Sequence, residues 1–371
     1  MALDNPIING DSKANKDLQN FIEATHASPV DHQLLERFER LTGRKPHRYL
    51  RRGIVFSHRD FKLILDKYER GDPIFLKTGR GPSSESLHIG HSIPFEFTRW
   101  LQEVLNAPLV IMLTDDMKLL HTPSLPFSAV QQFTSENAKD ILAFGFPEPS
   151  TFMFSNLSYV GGAFYRNIVA LARHIPVRDV KTALGFDYEK NVGMFHCCST
   201  QSAGAFATSY PGILAESTET LESMSCLIAC SYDIDGYFSE GRKHASKLGY
   251  ASPAFLYSSL LPSLQGPQVK MSASITGSAI YLTDGPDAVK KKVEESIKDV
   301  EVGLQYLKFF MEDDDELERV SRGYEAGKLD KNDVIGNLVK TLQAYVSNFQ
   351  KQRAEITDEY LEGFMKRRLL K

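Results

Sequence analysis

Apolar residues in this chain fall into two regimes. From about residue 72 to 284, short runs that are continuously apolar but for an end residue (74–77, 109–113, 152–154, 226–230 and 254–258) alternate with stretches of helical periodicity. A run without polar alternation suits a strand covered on both faces, the condition of a parallel sheet between helices. The spacing therefore predicts an α/β fold with a Rossmann-type doubly wound parallel sheet. After about Pro286 the strand signals stop, and charged helical patterns follow at 288–298, 302–311, 315–324, 334–352 and 356–370. Ahead of the sheet, residues 1–70 are polar and helix-prone, with Asp31 placed as the N-cap of a periodic stretch at 31–38. The expected organisation is an N-terminal helical extension (1–70), a sheet domain (71–285) with an insertion at roughly 119–195, and a helical domain (286–371). The last helix of that third part is expected to pack back on the sheet domain.

Ligands of a doubly wound sheet lie at the carboxyl ends of its strands. The first apolar run leads into Thr78-Gly79-Arg80-Gly81-Pro82-Ser83-Ser84, and His88-Ile89-Gly90-His91 then opens a helical pattern to about Leu105. At such a helix start, unpaired backbone N–H groups and the helix dipole favour phosphate. His88 and His91 are three apart, so on a helix they share one face and both reach a triphosphate. Gly90 between them lets a nucleotide lie against the backbone. Far downstream, Lys270-Met271-Ser272-Ala273-Ser274 sits between Gly266-Pro267 and Gly277. A lysine on a loop that moves can follow the charge developing on departing pyrophosphate. Either string alone is ordinary, a pair of histidines or a polar loop with a lysine. Both together, in this order and a domain apart, point to ATP.

Composition narrows the class without changing that picture. The 371 residues are 42% hydrophobic and 24% charged, ordinary for a soluble globular enzyme of two domains. A net charge of −4 leaves RNA binding open, since that needs only a local basic patch. No apolar run approaches the roughly 18–20 residues that span a bilayer, and the N-terminus lacks signal-peptide order, so no membrane partner is expected. Four cysteines are too few for a disulfide scaffold, and a cytoplasmic location is expected. Cys197-Cys198 and Cys226…Cys230 lack paired C-x-x-C spacing, so core thiols are expected and no metal centre.

These strings resemble the HIGH and KMSKS-like motifs of class I aminoacyl-tRNA synthetases, in detail the eukaryotic-type tryptophanyl family. The likeness is dense in Arg51 through Asp60, Thr78 through His91, Thr114-Asp115-Asp116, Glu136 through Ile141 and Gln265 through Ser274. It closes with Phe309 through Asp315 and Ile356-Thr357-Asp358-Glu359. The resemblance implies a Rossmann catalytic domain, a helical anticodon-binding domain and a homodimer through the insertion. It also implies the two-step ligase chemistry of protein biosynthesis: an amino acid and ATP, with Mg²⁺, give an adenylate, whose acyl group passes to tRNA. On that likeness His88, His91, Lys270, Ser272 and Lys118 serve catalysis, and Arg80, Gly81, Pro82, Gly90 and Met271 hold the nucleotide. Lys77, Met112, Met117, Gln201, Asp233 and Ile234 form the substrate pocket.

The chain departs from the family in that pocket. Where the family has a tyrosine before Thr-Gly-Arg-Gly-Pro and a glutamine before Thr-Asp-Asp, this chain has Lys77 and Met112. Its glutamate after the two aspartates is Met117 here, and its glutamine between two aspartates is Ile234. Losing even one charge-assisted partner typically costs about 1.5–3 kcal/mol, so tryptophan recognition comes into question. An apolar pocket with one lysine points to a small acid with an anionic or carbonyl group, whereas a lysine alone in an apolar strand is expected to bend out to solvent. A second departure lies at Glu294 through Glu301, where the family's longer anticodon-reading segment is absent and the replacement is acidic, the wrong sign for RNA. Binding of tRNA is therefore expected to be weakened. The candidate functions are a tryptophan–tRNA ligase, an adenylating enzyme for another acid, and a non-catalytic paralogue that binds ATP as a regulator or scaffold. A small nucleotidyltransferase of the H-x-G-H type would have no use for the distant KMSAS string or the helical domain.

Overall fold

The computed structural model describes residues 13–270 and 279–371. Its main sheet runs in the order β1-β2-β7-β6-β3-β4-β5. The strands are β1 (Ser28–Pro29), β2 (Val55–Arg59), β3 (Ile74–Arg80), β4 (Leu109–Leu113), β5 (Thr151–Ser155), β6 (Ser225–Ser231) and β7 (Ala254–Ser258). The five strands from β7 to β5 are parallel, while β2 pairs antiparallel with β7, and β1 with β2. Among the parallel strands the chain starts in the middle at β3, moves out through β4 to β5, then returns to β6 and β7. That is the doubly wound order, and its reversal between β3 and β6 opens a crevice at their carboxyl ends.

Alternation along each strand sorts side chains to two apolar layers. On β3 and β6, Ile74, Leu76, Leu227 and Ala229 face one layer, while Phe75, Cys226, Ile228 and Cys230 face the other. The helix Ile89–Leu105 lies in the first layer through Ile89, Ile93 and Leu101, joined there by Val289, Phe310, Leu338 and Leu342 of the C-terminal helices. The helices Gly162–Ala172, Cys197–Ala203 and Gly236–His244 supply Phe164, Ala203 and Phe238 to the second. At each strand the two-sided burial explains the continuous apolar runs.

The expected strands and C-terminal helices are found within a few residues, and Asp31 does cap its helix, accepting the Leu34 N–H at 2.8 Å. Within residues 1–70, however, β2 joins the sheet where only helix was expected. Ser57 and His58 are polar yet buried, so they cut short the apolar stretch Ile54–Phe56 that would otherwise have revealed the strand. The β8 (Pro262–Ser263) and β9 (Gly266–Lys270) hairpin is a second unexpected pair. The final helix stops at Met365 rather than near residue 370. There Arg368 turns its guanidinium to the carbonyls of Glu148 and Thr151, and the Leu370 N–H donates to Ile213 O.

Three arginines join the chain's beginning to its C-terminal helices. Arg48 donates to Phe309 O, and Arg52 to Lys308 O and Met311 O, covering carbonyls left open at the end of the helix Val300–Phe310. Arg51 and Arg52 also grip Asp314, whose carboxyl they draw down to about 2 against the opposing effect of burial. Arg48 meets Glu96, on the Ile89–Leu105 helix, which also accepts from Tyr49 and Tyr345. Among the described residues no helix is long and apolar enough to cross a membrane.

Candidate active site

A cleft of about 380 Å³ opens where the strand order reverses. Its lining comes from the end of β3 and the loop beyond it (Lys77 to Gly81), the start of the Ile89–Leu105 helix, Met117 and Lys118, Gln201, and the ends of β6 and β7. Its shape follows from backbone contacts. A Cβ on Gly79 would come within 2.5 Å of Met112 O, so only glycine lets β3 and β4 approach this closely at the crevice.

The phosphate-attracting elements converge on one side. His88 stands just before the helix, with its backbone N–H donating to His91 Nδ1 at 3.3 Å. The two imidazoles stack with ring centroids 3.4 Å apart. The loop ahead of them is held by Ile89 N–H to Ile280 O and Leu282 N–H to Leu87 O, so residues 280–282, just beyond the KMSAS segment, pack directly against this helix start. Arg80 is half-buried, desolvation by the surrounding protein pushes its guanidinium down to about 10, and its Nε donates to Asn137 Oδ1. Lys118 approaches the loop, its Cε 3.1 Å from where a Gly81 Cβ would be; burial and then the Arg80 charge lower its ammonium. Positive charge concentrated where desolvation disfavours it is a site for a polyanion.

The other side is apolar. Lys77 shares a sheet face with Phe75 and Met112, opposite the face that packs the Ile89–Leu105 helix. Instead of bending out to solvent, Lys77 is only 3% exposed, and its Nζ lies 4.7 Å from the centre of the Phe238 ring. The stem is trapped: a Cβ on Gly204 would meet Lys77 Cε at 2.8 Å and Met112 Sδ at 2.9 Å. Burial pushes the ammonium down to about 8, with Cys226 and Cys230 acting weakly the other way. Met117, Ile228, Ile234, Tyr237 and Phe238 line the same cleft. Asp233 lines the same cleft and accepts from Ser231 Oγ at 2.5 Å, whereas Asp235 is engaged by Tyr257 and Arg59.

Of the residues singled out by sequence, Lys77, Arg80, Gly81, His88, Gly90, His91, Met117, Lys118, Gln201, Asp233 and Ile234 line this single cleft. Met112 lies below it in the core, and Pro82 is buried outside the lining. Lys270 closes β9 by backbone; its side chain, with Met271 and Ser272, lies outside the described residues. Sequence reasoning missed Tyr237 and Phe238, although both stand in the first turn of the helix Gly236–His244, just after the Asp233–Asp235 stretch. Cys226 and Cys230 are buried in β6 with thiols pushed up by burial, as core positions require. Among the described residues no three His, Cys, Asp or Glu side chains converge as a metal site.

Comparison with known proteins gives one consistent result. Residues 69–346 match the family of class I tRNA synthetases for tryptophan and tyrosine. A Schizosaccharomyces pombe protein named cytoplasmic tryptophan–tRNA ligase is 43% identical, over 97% of this chain and 94% of its own. The human protein of the same name is 42% identical, over 95% of this chain and 78% of its own. Among solved structures, the Giardia lamblia tryptophanyl-tRNA synthetase superposes with a TM-score of 0.88 at 34% identity, covering 95% of this chain and 98% of that one. The Encephalitozoon cuniculi enzyme bound to tryptophan superposes at 0.86 and 34% identity, covering 95% of this chain and all of that one.

Proposed function

Because this chain belongs to the class I tRNA synthetase family, in its eukaryotic-type tryptophanyl branch, we propose that it condenses a carboxylic acid with ATP in the cleft at the strand reversal. The observation that carries this reading is the meeting of two unlike subsites in one cleft: a cationic end at His88, His91, Arg80 and Lys118, and an apolar end at Met117, Ile234 and Phe238.

A carboxylate oxygen of the acid attacks the α-phosphorus, the bond to the β-phosphate breaks, and pyrophosphate leaves with the electron pair. No side chain forms a covalent intermediate; rate comes from alignment and from cations placed where charge develops. His88 and His91 hold the phosphates at the helix start, and Lys118 and Arg80 neutralise them from the adjoining loop. On the family's pattern Lys270, with Ser272 and Met271, follows the leaving group. Mg²⁺ accompanies the triphosphate. In the second step a tRNA 3′-hydroxyl attacks the acyl carbon and AMP departs.

The relatives' names supply tryptophan as the acid and the cytoplasm as the location. The residues about the acid subsite favour another acid, since Lys77, Met117 and Ile234 offer an indole N–H no acceptor. A dimer is also proposed: Tyr165 and Val169, one turn apart on the helix Gly162–Ala172, expose an apolar stripe for a second copy.

ATP–pyrophosphate exchange over all twenty amino acids, with direct ATP titration, tests the reading. Exchange with any one of them, abolished in His91→Ala, is expected if the acid is an amino acid. ATP binding with no exchange shifts the reading to a non-standard acid or to a regulatory ATP-binding paralogue. An ATP affinity unchanged by His91→Ala would refute the site.

A further inference from the structure

We infer that the acid subsite accepts an apolar carboxylic acid carrying a second anionic group at its far end, and that the Lys77 ammonium holds that group. This rests on the adenylation reading above and gives it a substrate class. Lys77 lies three residues before Arg80 on β3, so about 10 Å back along the strand from the phosphate loop at a rise of about 3.3 Å per residue. It also points to the opposite face of the sheet from the Ile89–Leu105 helix. A ligand that presents one carboxylate to ATP and runs down the cleft meets Lys77 with its other end.

The surroundings of Lys77 call for a ligand's charge rather than a protein's. No hydrogen bond or carboxylate reaches Nζ among the described residues; it faces the Phe238 ring at 4.7 Å, with Cys226 and Cys230 close enough to bear on it weakly. The thiols of Cys226 and Cys230 are held neutral by burial, so neither serves as counter-ion. Asp233 is the acidic residue of the cleft lining and is occupied by Ser231. A buried cation without an anion is strongly disfavoured, and an incoming anion relieves that directly. The walls at Met117, Ile234 and Tyr237 set the rest of the ligand as apolar, aromatic rings included.

The test compares matched probes, 3-phenylpropanoate with 3-(4-carboxyphenyl)propanoate and L-phenylalanine with 4-carboxy-L-phenylalanine. Each is titrated into the full chain with and without ATP, in wild type and Lys77→Met, and ATP affinity is measured separately. We expect at least one para-carboxylate probe to bind about tenfold or more tightly than its partner without that group, as a charge-assisted contact gives. Lys77→Met is expected to erase that preference and leave ATP affinity within about twofold. Equal binding, a preference for the probes lacking the para-carboxylate, no binding of either pair, or a preference that survives Lys77→Met would each overturn the inference. Loss of ATP binding in the wild type would defeat the adenylation reading instead, and the probe comparison without ATP would still decide the role of Lys77.

Discussion

Lys77→Met is expected to make the protein more stable. The lysine's ordinary value of 10.5 falls to about 8 on burial, and at about 1.4 kcal/mol per pH unit this costs the folded state about 3 kcal/mol at neutral pH. Against that, methionine forfeits the attraction between the ammonium and the Phe238 ring, about 1 kcal/mol for a desolvated cation. Methionine has a similar length and no polar atom to bury, so packing against Gly204 and Met112 changes little. The net gain is about 2 kcal/mol. Its pH dependence has a definite sign. The folded value lies below the unfolded one, so the wild type carries its full handicap below about pH 8. It sheds the handicap as pH rises toward 10.5, because the folded form releases its proton first. Urea unfolding of both proteins at about pH 7 and about pH 9.5 should show the advantage of methionine shrinking by about 2 kcal/mol, to nearly nothing at the higher pH. A variant less stable than wild type at neutral pH, or an advantage independent of pH, would refute the argument that Lys77 is a buried uncompensated charge.

His91→Ala should weaken ATP at least about tenfold by removing one phosphate contact and the acceptor of the His88 N–H, read by titration. Glu96→Gln should destabilise by about 3 kcal/mol, since it leaves the buried Arg48 with Glu312 as its remaining carboxylate. Burial alone would raise the Glu96 carboxyl, but His47 and Arg48 hold it below its ordinary value. The wild type should therefore lose stability as pH falls through that range, and Glu96→Gln should flatten this acid limb in unfolding measured from pH 6 downward. Any probe that occupies the anion position at Lys77 should bind less well above about pH 8, where the free ammonium deprotonates; calorimetry at several pH values would show it. Cognate tRNA should bind weakly and without dependence on its anticodon, because only residues 297–299 separate the helices Pro286–Ser296 and Val300–Phe310; filter binding with an anticodon-swapped transcript checks this.

The parallel sheet was legible because two-sided burial writes itself as continuous apolar runs, and the phosphate side because glycine, arginine and histidine cluster between a strand and a helix. What escaped were features decided by distant partners. β2 looks polar because Ser57 and His58 are buried by neighbouring structure rather than by their own character. The fate of Lys77 depended on Gly204 and Phe238, more than a hundred residues away, which trap the side chain that propensity would have sent to solvent. Tyr237 and Phe238 gave no signal of their own, since aromatic residues in an α/β core are ordinary.

The pairing of β2 with β7 bears on how this chain is made. Val55 meets Ser258, a residue synthesised roughly 200 positions later, which at ordinary rates is a delay of about 10–40 s. Arg48, Arg51 and Arg52 wait longer still for the carbonyls and carboxylate near residues 308–314. During that interval the first part of the protein leaves the ribosome with an unpaired strand and three unanswered guanidinium groups. A nascent chain in that state is a natural client for a chaperone, and its release is timed by the last helices rather than by the first.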